Sequence, residues 1–219
     1  MRLISVAQAR SLWLFSTNDL NPKGRNLTKE LLPGLIARYN FLTFPKKPEE
    51  LNMQTGIKFE DGSFGVSPDA KITVHFNAYT VGLLAITRSS TEETDIFLED
   101  LLGWLADDFN LVPYRKLNIR RMYTSEVYVE SKEPLTGLNP RLSDFAQKIS
   151  QSTGEYTNKA FQFSGISFTG DPSAPGQKQN FILERDIAAP FSENRYFSSA
   201  PLHTSEHLSL LDELETILA

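Results

Sequence analysis

Three short segments recur in the same order a little over a hundred residues apart, and no other feature of the chain narrows its fold as much. Leu32-Pro33-Gly34-Leu35 lies 107 positions before Asn139-Pro140-Arg141-Leu142, and Gly56-Ile57-Lys58-Phe59 lies 109 before Gly165-Ile166-Ser167-Phe168. Phe97-Leu98-Glu99-Asp100-Leu101 lies 113 before Leu210-Leu211-Asp212-Glu213-Leu214. The offsets grow along the chain, as small loop insertions would make them.

Local patterning follows the same division. Helical spacing of apolar residues predicts helices at about Leu32 to Phe41, Glu92 to Phe109, Pro140 to Ser152 and Ser205 to Leu218. Ser90 with Glu93 makes a capping-box start for the second, and Asn139 followed by Pro140 opens the third. The first is placed at Leu32 rather than Thr28 because Pro33 is tolerated in a first turn and not in a helix interior. Alternating apolar residues predict strands at Leu3 to Phe15, Gly56 to Glu60, Lys71 to Asn77, Val81 to Arg88, Ile119 to Val129, Ala160 to Thr169, Asn180 to Asp186 and Arg195 to Ser199.

Written in order, residues 1–113 give β-α-β-β-β-α and residues 114–219 give it again. The expected fold is therefore α+β: two pseudo-repeated blocks forming a mainly antiparallel sheet with helices on one face. In outline this is similar to saddle-shaped duplicated folds such as the TATA-binding protein. No residue motif of that family is present, so neither its function nor its sites carry over.

Composition removes several function classes. The chain has no cysteine, which excludes disulfides, thiolate metal sites and cysteine nucleophiles. With 40% apolar and 22% charged residues it is a folding sequence. Its N-terminus, interrupted by Arg2, Gln8 and Arg10, reads as a strand and not a signal peptide, and no apolar run is long enough for a membrane span. A cytoplasmic location is expected. The net charge of −5 sets nucleic acid low among partners; a protein partner stands first, then a small ligand, with self-association as a further option.

Two constellations could carry chemistry. His203-Thr204-Ser205-Glu206-His207 matches H-x-x-E-H, in which two histidines hold zinc and the glutamate activates water. Against it, Thr204 or Ser205 is the expected helix cap, which leaves His203 outside the helix. Arg115, Lys116, Arg120 and Arg121 form a basic knot able to pair with phosphates, or with the acidic face of the preceding helix. The adjacent acids Glu99-Asp100 and Asp107-Asp108 point in different directions on a helix and make poor acid/base pairs. His75 is expected to serve as a cross-strand partner. Asp61-Gly62 and Gly170 to Gln179 read as turns, the latter a mobile hairpin loop, and no cofactor fingerprint appears.

The sequence thus favours a non-enzymatic binding or assembly module without a cofactor, engaging a protein or small ligand through its sheet face or the groove between halves. The alternatives are a metal-dependent hydrolase at His203, Glu206 and His207, and a phosphate-ligand or nucleic-acid binder at the basic knot.

Overall fold

A computed structural model of the chain describes every residue except 26, 155, 157–159, 172, 174–179 and 219, so most of the Gly170 to Gln179 loop lies outside the described residues. Among the described residues, eight strands and four α-helices follow one another as β1 (Arg2–Leu14), α1 (Thr28–Tyr39), β2 (Ile57–Ser67), β3 (Ala70–Tyr79), β4 (Gly82–Thr87), α2 (Thr91–Phe109), β5 (Arg120–Glu130), α3 (Pro140–Thr153), β6 (Gly165–Thr169), β7 (Asn180–Arg185), β8 (Arg195–Ala200) and α4 (Thr204–Leu218). The strands build a large antiparallel sheet.

The chain gathers into two compact units. The first comprises Gln8–Ser125 and Leu202–Thr204; the second comprises Met1–Ala7, Glu126–Pro201 and Ser205–Ala219. In the first unit the strand order is β2-β3-β4 followed by residues 8–14 of β1, and in the second residues 126–130 of β5 followed by β8-β7-β6.

The first unit has the larger core. Trp13 of β1, Val74 and Phe76 of β3 and Ala85 of β4 point inward at alternate positions, as the period of a strand requires. They meet Leu35 and Tyr39 of α1 and Phe97, Leu98 and Leu101 of α2. Tyr39 packs edge-on against Phe41, Phe64, Phe97 and Trp104. Such edge-to-face pairs add about 1 kcal/mol each beyond area burial. In the second unit Val127, Val129, Leu135, Leu183, Tyr196 and Leu211 form a separate cluster.

The helix ends explain their own positions. Ser90 Oγ accepts from the Glu93 amide at 3.2 Å, and Asn139 Oδ1 accepts from the Arg141 amide at 3.1 Å. Glu93 turns its carboxylate to the Ser89 hydroxyl rather than back to the cap. Asn40 and Asn110, which end α1 and α2, sit in the left-handed region that asparagine tolerates.

Two local expectations are corrected. The helix α1 starts at Thr28, a turn before Pro33. Lys29 and Pro33 both lie on the exposed side, where water replaces the missing amide bond. Asp61-Gly62 is not a turn between strands but a bulge inside β2, where the register with β3 shifts between Phe59 and Gly62. Asp61 takes φ 56°, its amide donates to His75 Nδ1 at 3.3 Å, and a Cβ on Gly62 would meet the Phe41 ring at 2.4 Å.

Candidate functional site

The first unit holds an apolar cavity of about 280 Å³. Its floor is buried leucine and phenylalanine: Leu35 from α1, Phe59 from β2, Phe76 from β3, Leu83 from β4, and Leu101 and Leu105 from α2. The spacing of Leu101 and Leu105 sets both on one helix face. Half-buried Leu31, Leu32, Met53 and Ala78 form the rim. Gly34 of α1 lies against the indole of Trp104 on α2; a Cβ at Gly34 would meet that ring at 3.1 Å.

Polar groups on the cavity wall come from three residues, and each has an internal partner. Thr17 Oγ1 donates to the Thr80 carbonyl at 3.0 Å. Asn21 Nδ2 donates to the Arg25 carbonyl at 2.8 Å, and its Oδ1 accepts from the Arg25 amide at 3.3 Å. Arg25 Nη2 donates to the carbonyls of Phe109 and Asn110, both at 2.8 Å. Those carbonyls close α2, where the helix leaves acceptors unpaired and the dipole is negative, so the cation is held there by bond and field together.

A second cleft of about 290 Å³ adjoins the first through Leu20, Asn21, Arg25 and Leu111. Among the described residues it is lined by Lys23, Arg25 and Lys116 and by no carboxylate. In a chain of net charge −5 this is a local reversal of sign.

The structure separates the four residues of the basic knot. Lys116 reaches the cleft. Arg121 stacks on the Trp13 ring at 3.9 Å and contacts Asp95 at 3.5 Å and Glu99 at 3.3 Å. Asp95 also accepts from Trp13 Nε1 and Tyr123 Oη, each at 2.8 Å. Burial, and then the bond to Asp95, push the Tyr123 phenol up to about 12. Arg115 lies over its neighbour Tyr114, and Arg120 is exposed. Of the adjacent acids, Asp100 accepts from Arg38 and Tyr39, and Asp108 accepts from Trp104 Nε1.

The H-x-x-E-H residues do not assemble as a zinc site needs. His203 precedes α4 and stacks on Tyr123, with ring centroids 3.7 Å apart, while its Nδ1 lies 3.3 Å from Thr91 Oγ1. Glu206 is exposed. His207 is fully buried, with Nε2 2.8 Å from Ser198 Oγ. Ser198 spends its only proton on the Ile182 carbonyl at 2.8 Å, so the network assigns the proton of this contact to His207 Nε2. Nδ1 is then a buried acceptor without a partner among the described residues. Burial lowers the imidazole to about 4, which keeps it neutral at pH 7. Among the described residues no group of three His, Cys, Asp or Glu side chains could hold a metal, and no helix is long and apolar enough to cross a membrane.

Neither the cavity nor the cleft's two other cations, Lys23 and Arg25, carry a signal in the sequence. Its leucines come from separate segments, each of which looks like ordinary core.

No family model matches the chain, and no curated protein matches it. Among solved structures it is similar to TBP of Methanococcus jannaschii, a DNA-binding protein, at 13% identity and a TM-score of 0.45, covering 99% of this chain and 97% of that one. The partner expectation is corrected by this finding: a protein partner first, with nucleic acid unlikely, does not stand. Net charge sums over the whole surface and does not describe any one face of it.

Proposed function

We propose that the chain is a non-enzymatic binding module and that its site is the apolar cavity of the first unit, which takes a small ligand with an apolar body. The observation that carries this reading is the chemistry of the wall. Apolar side chains leave about 280 Å³ between them, and the polar groups on the wall are bonded within the protein. An apolar body seated there gains about 25 cal/mol for each Å² of apolar surface withdrawn from water. A wall of this kind binds chiefly by exclusion of water.

The test is saturable binding of a neutral apolar fluorophore, N-phenyl-1-naphthylamine, followed by its emission. The wild-type chain is expected to bind one equivalent. Ala78→Phe, which puts a ring at the rim, is expected to abolish binding with the circular dichroism spectrum unchanged. Equal binding by the two proteins, or no saturable binding by either, refutes the reading.

A second reading has its own observation. Arg115 and Arg120 are exposed, and neither is bonded to a carboxylate among the described residues. With Lys116 they support binding of a phosphate ligand or nucleic acid at this segment. Affinity for a DNA duplex that falls steeply with salt and is lost in Arg115→Glu/Arg120→Glu would bear this out; salt-independent or absent binding would remove it.

A further inference from the structure

We infer that the ligand of the cavity is an amphiphile: an apolar body of about nine carbons that ends in an anionic head. This rests on the cavity reading above and names the chemical class that the site selects. The body follows from volume. At about 30 Å³ for each water-sized group, 280 Å³ holds a chain of about nine methylenes. Leucine and phenylalanine on every side of the floor give such a chain contacts and give a polar body none.

The head follows from charge. The cleft that adjoins the cavity presents Lys23, Arg25 and Lys116 without one carboxylate, and Arg25 lines both spaces. Arg25 is fixed by its bonds to the Phe109 and Asn110 carbonyls, so it need not be ordered when a ligand arrives. Lys23 and Lys116 have no carboxylate bonded to them among the described residues. An apolar body in the first space therefore leaves its end beside three cations in the second. A neutral end would leave Lys23 and Lys116 without an ionic partner, and a cationic end would be repelled.

The two spaces make separable demands. Each methylene of the body is worth roughly fourfold in affinity. The head, at three partly exposed cations, is worth about tenfold in all.

Isothermal titration calorimetry with nonanoate, 1-nonanol, nonyl phosphate and butyrate on the full chain tests this at pH 7.5. Nonanoate is expected to bind about tenfold more tightly than 1-nonanol, and butyrate at least a hundredfold more weakly than nonanoate. The double variant Lys23→Ala/Lys116→Ala, changed only at exposed positions, is expected to bring nonanoate close to the alcohol. A rise from 50 to 500 mM salt should weaken nonanoate and leave 1-nonanol unchanged. Nonyl phosphate distinguishes the source of the charge: preference for it over nonanoate marks a phosphate head, and the reverse marks a carboxylate. If 1-nonanol binds as tightly as both anions, or the double variant keeps the preference for anions, the anionic head is overturned and the cavity reading stands. If none of the four probes binds, both fall.

Discussion

Acidifying the protein from pH 7.5 to 4 should cost stability through one residue, His207. In the folded chain its imidazole is neutral, with Nε2–H given to Ser198 and a buried Nδ1 that no group can meet as a donor. Charging it would place a proton on Nδ1 with no acceptor in reach. Burial accordingly holds the folded group at about 4, against 6.5 for a free histidine. The sign follows from proton counting. Above about pH 7.5 neither state binds the proton, and the histidine contributes no pH dependence. As the pH falls through 6.5 the unfolded chain takes up a proton that the folded chain refuses, so stability declines. It levels off once the pH passes the folded value near 4. At about 1.4 kcal/mol for each pH unit, the full difference is about 3 kcal/mol at most.

Carboxylates change the baseline as well: burial raises Glu93, while bonds from the N-terminal amine, the Lys132 amide and Ser131 outweigh burial and lower Glu215. The quantity to measure is therefore the difference between the wild type and His207→Gln, whose amide can still donate to Ser198 and does not titrate. Urea unfolding followed by far-ultraviolet circular dichroism at half-unit pH steps gives both curves. The wild type should lose about 3 kcal/mol relative to the variant between pH 7.5 and 4, with most of the change below 6.5. A difference that stays flat across the interval would refute the buried neutral histidine.

Further expected outcomes concern packing and polar satisfaction. Gly82→Ala should destabilise by about 3 kcal/mol or more in urea, because φ is 154° and the new Cβ would lie 2.3 Å from the Trp13 carbonyl oxygen. Gly103→Ala, in the middle of α2 with nothing within 4 Å of the added carbon, should instead stabilise by about 0.5–1 kcal/mol. Asp95→Ala strips the acceptor from Trp13 Nε1, Tyr123 Oη and Arg121 together, and should lower stability by about 2–4 kcal/mol. A loss below about 0.5 kcal/mol would mean that water replaces it.

What the sequence disclosed depended on how local the determining physics was. The caps Ser90 and Asn139 act within three residues, so the starts of α2 and α3 could be placed to within a residue or so. Alternation in β1 and β5 likewise needs no knowledge of a partner strand. Pro33 misled because the cost of a proline depends on whether water reaches the abandoned carbonyl, a matter of burial that the local pattern does not contain. Asp61-Gly62 misled for a similar reason: the same dipeptide serves a turn or a bulge, and the ring of Phe41 decides which. The cavity was invisible. Leu35, Phe59, Leu83 and Leu101 each carry the signature of core, and a space among them is a property of their arrangement. His207 drew notice as half of a metal motif, yet what governs it is Ser198 on a neighbouring strand.

The second unit is drawn from both ends of the chain, since its first seven residues belong with residues beyond 125. On a ribosome adding about 5–20 residues each second, Met1 and Val6 emerge on the order of ten seconds before Val127 and Val129, part of the cluster they pack against, exist. For that interval an apolar segment of high strand propensity has no native neighbour. Arg2, whose eventual contact is Glu130, and Arg10 place charge at either end of it. The nascent chain thus carries its own safeguard against clumping until translation supplies the missing half.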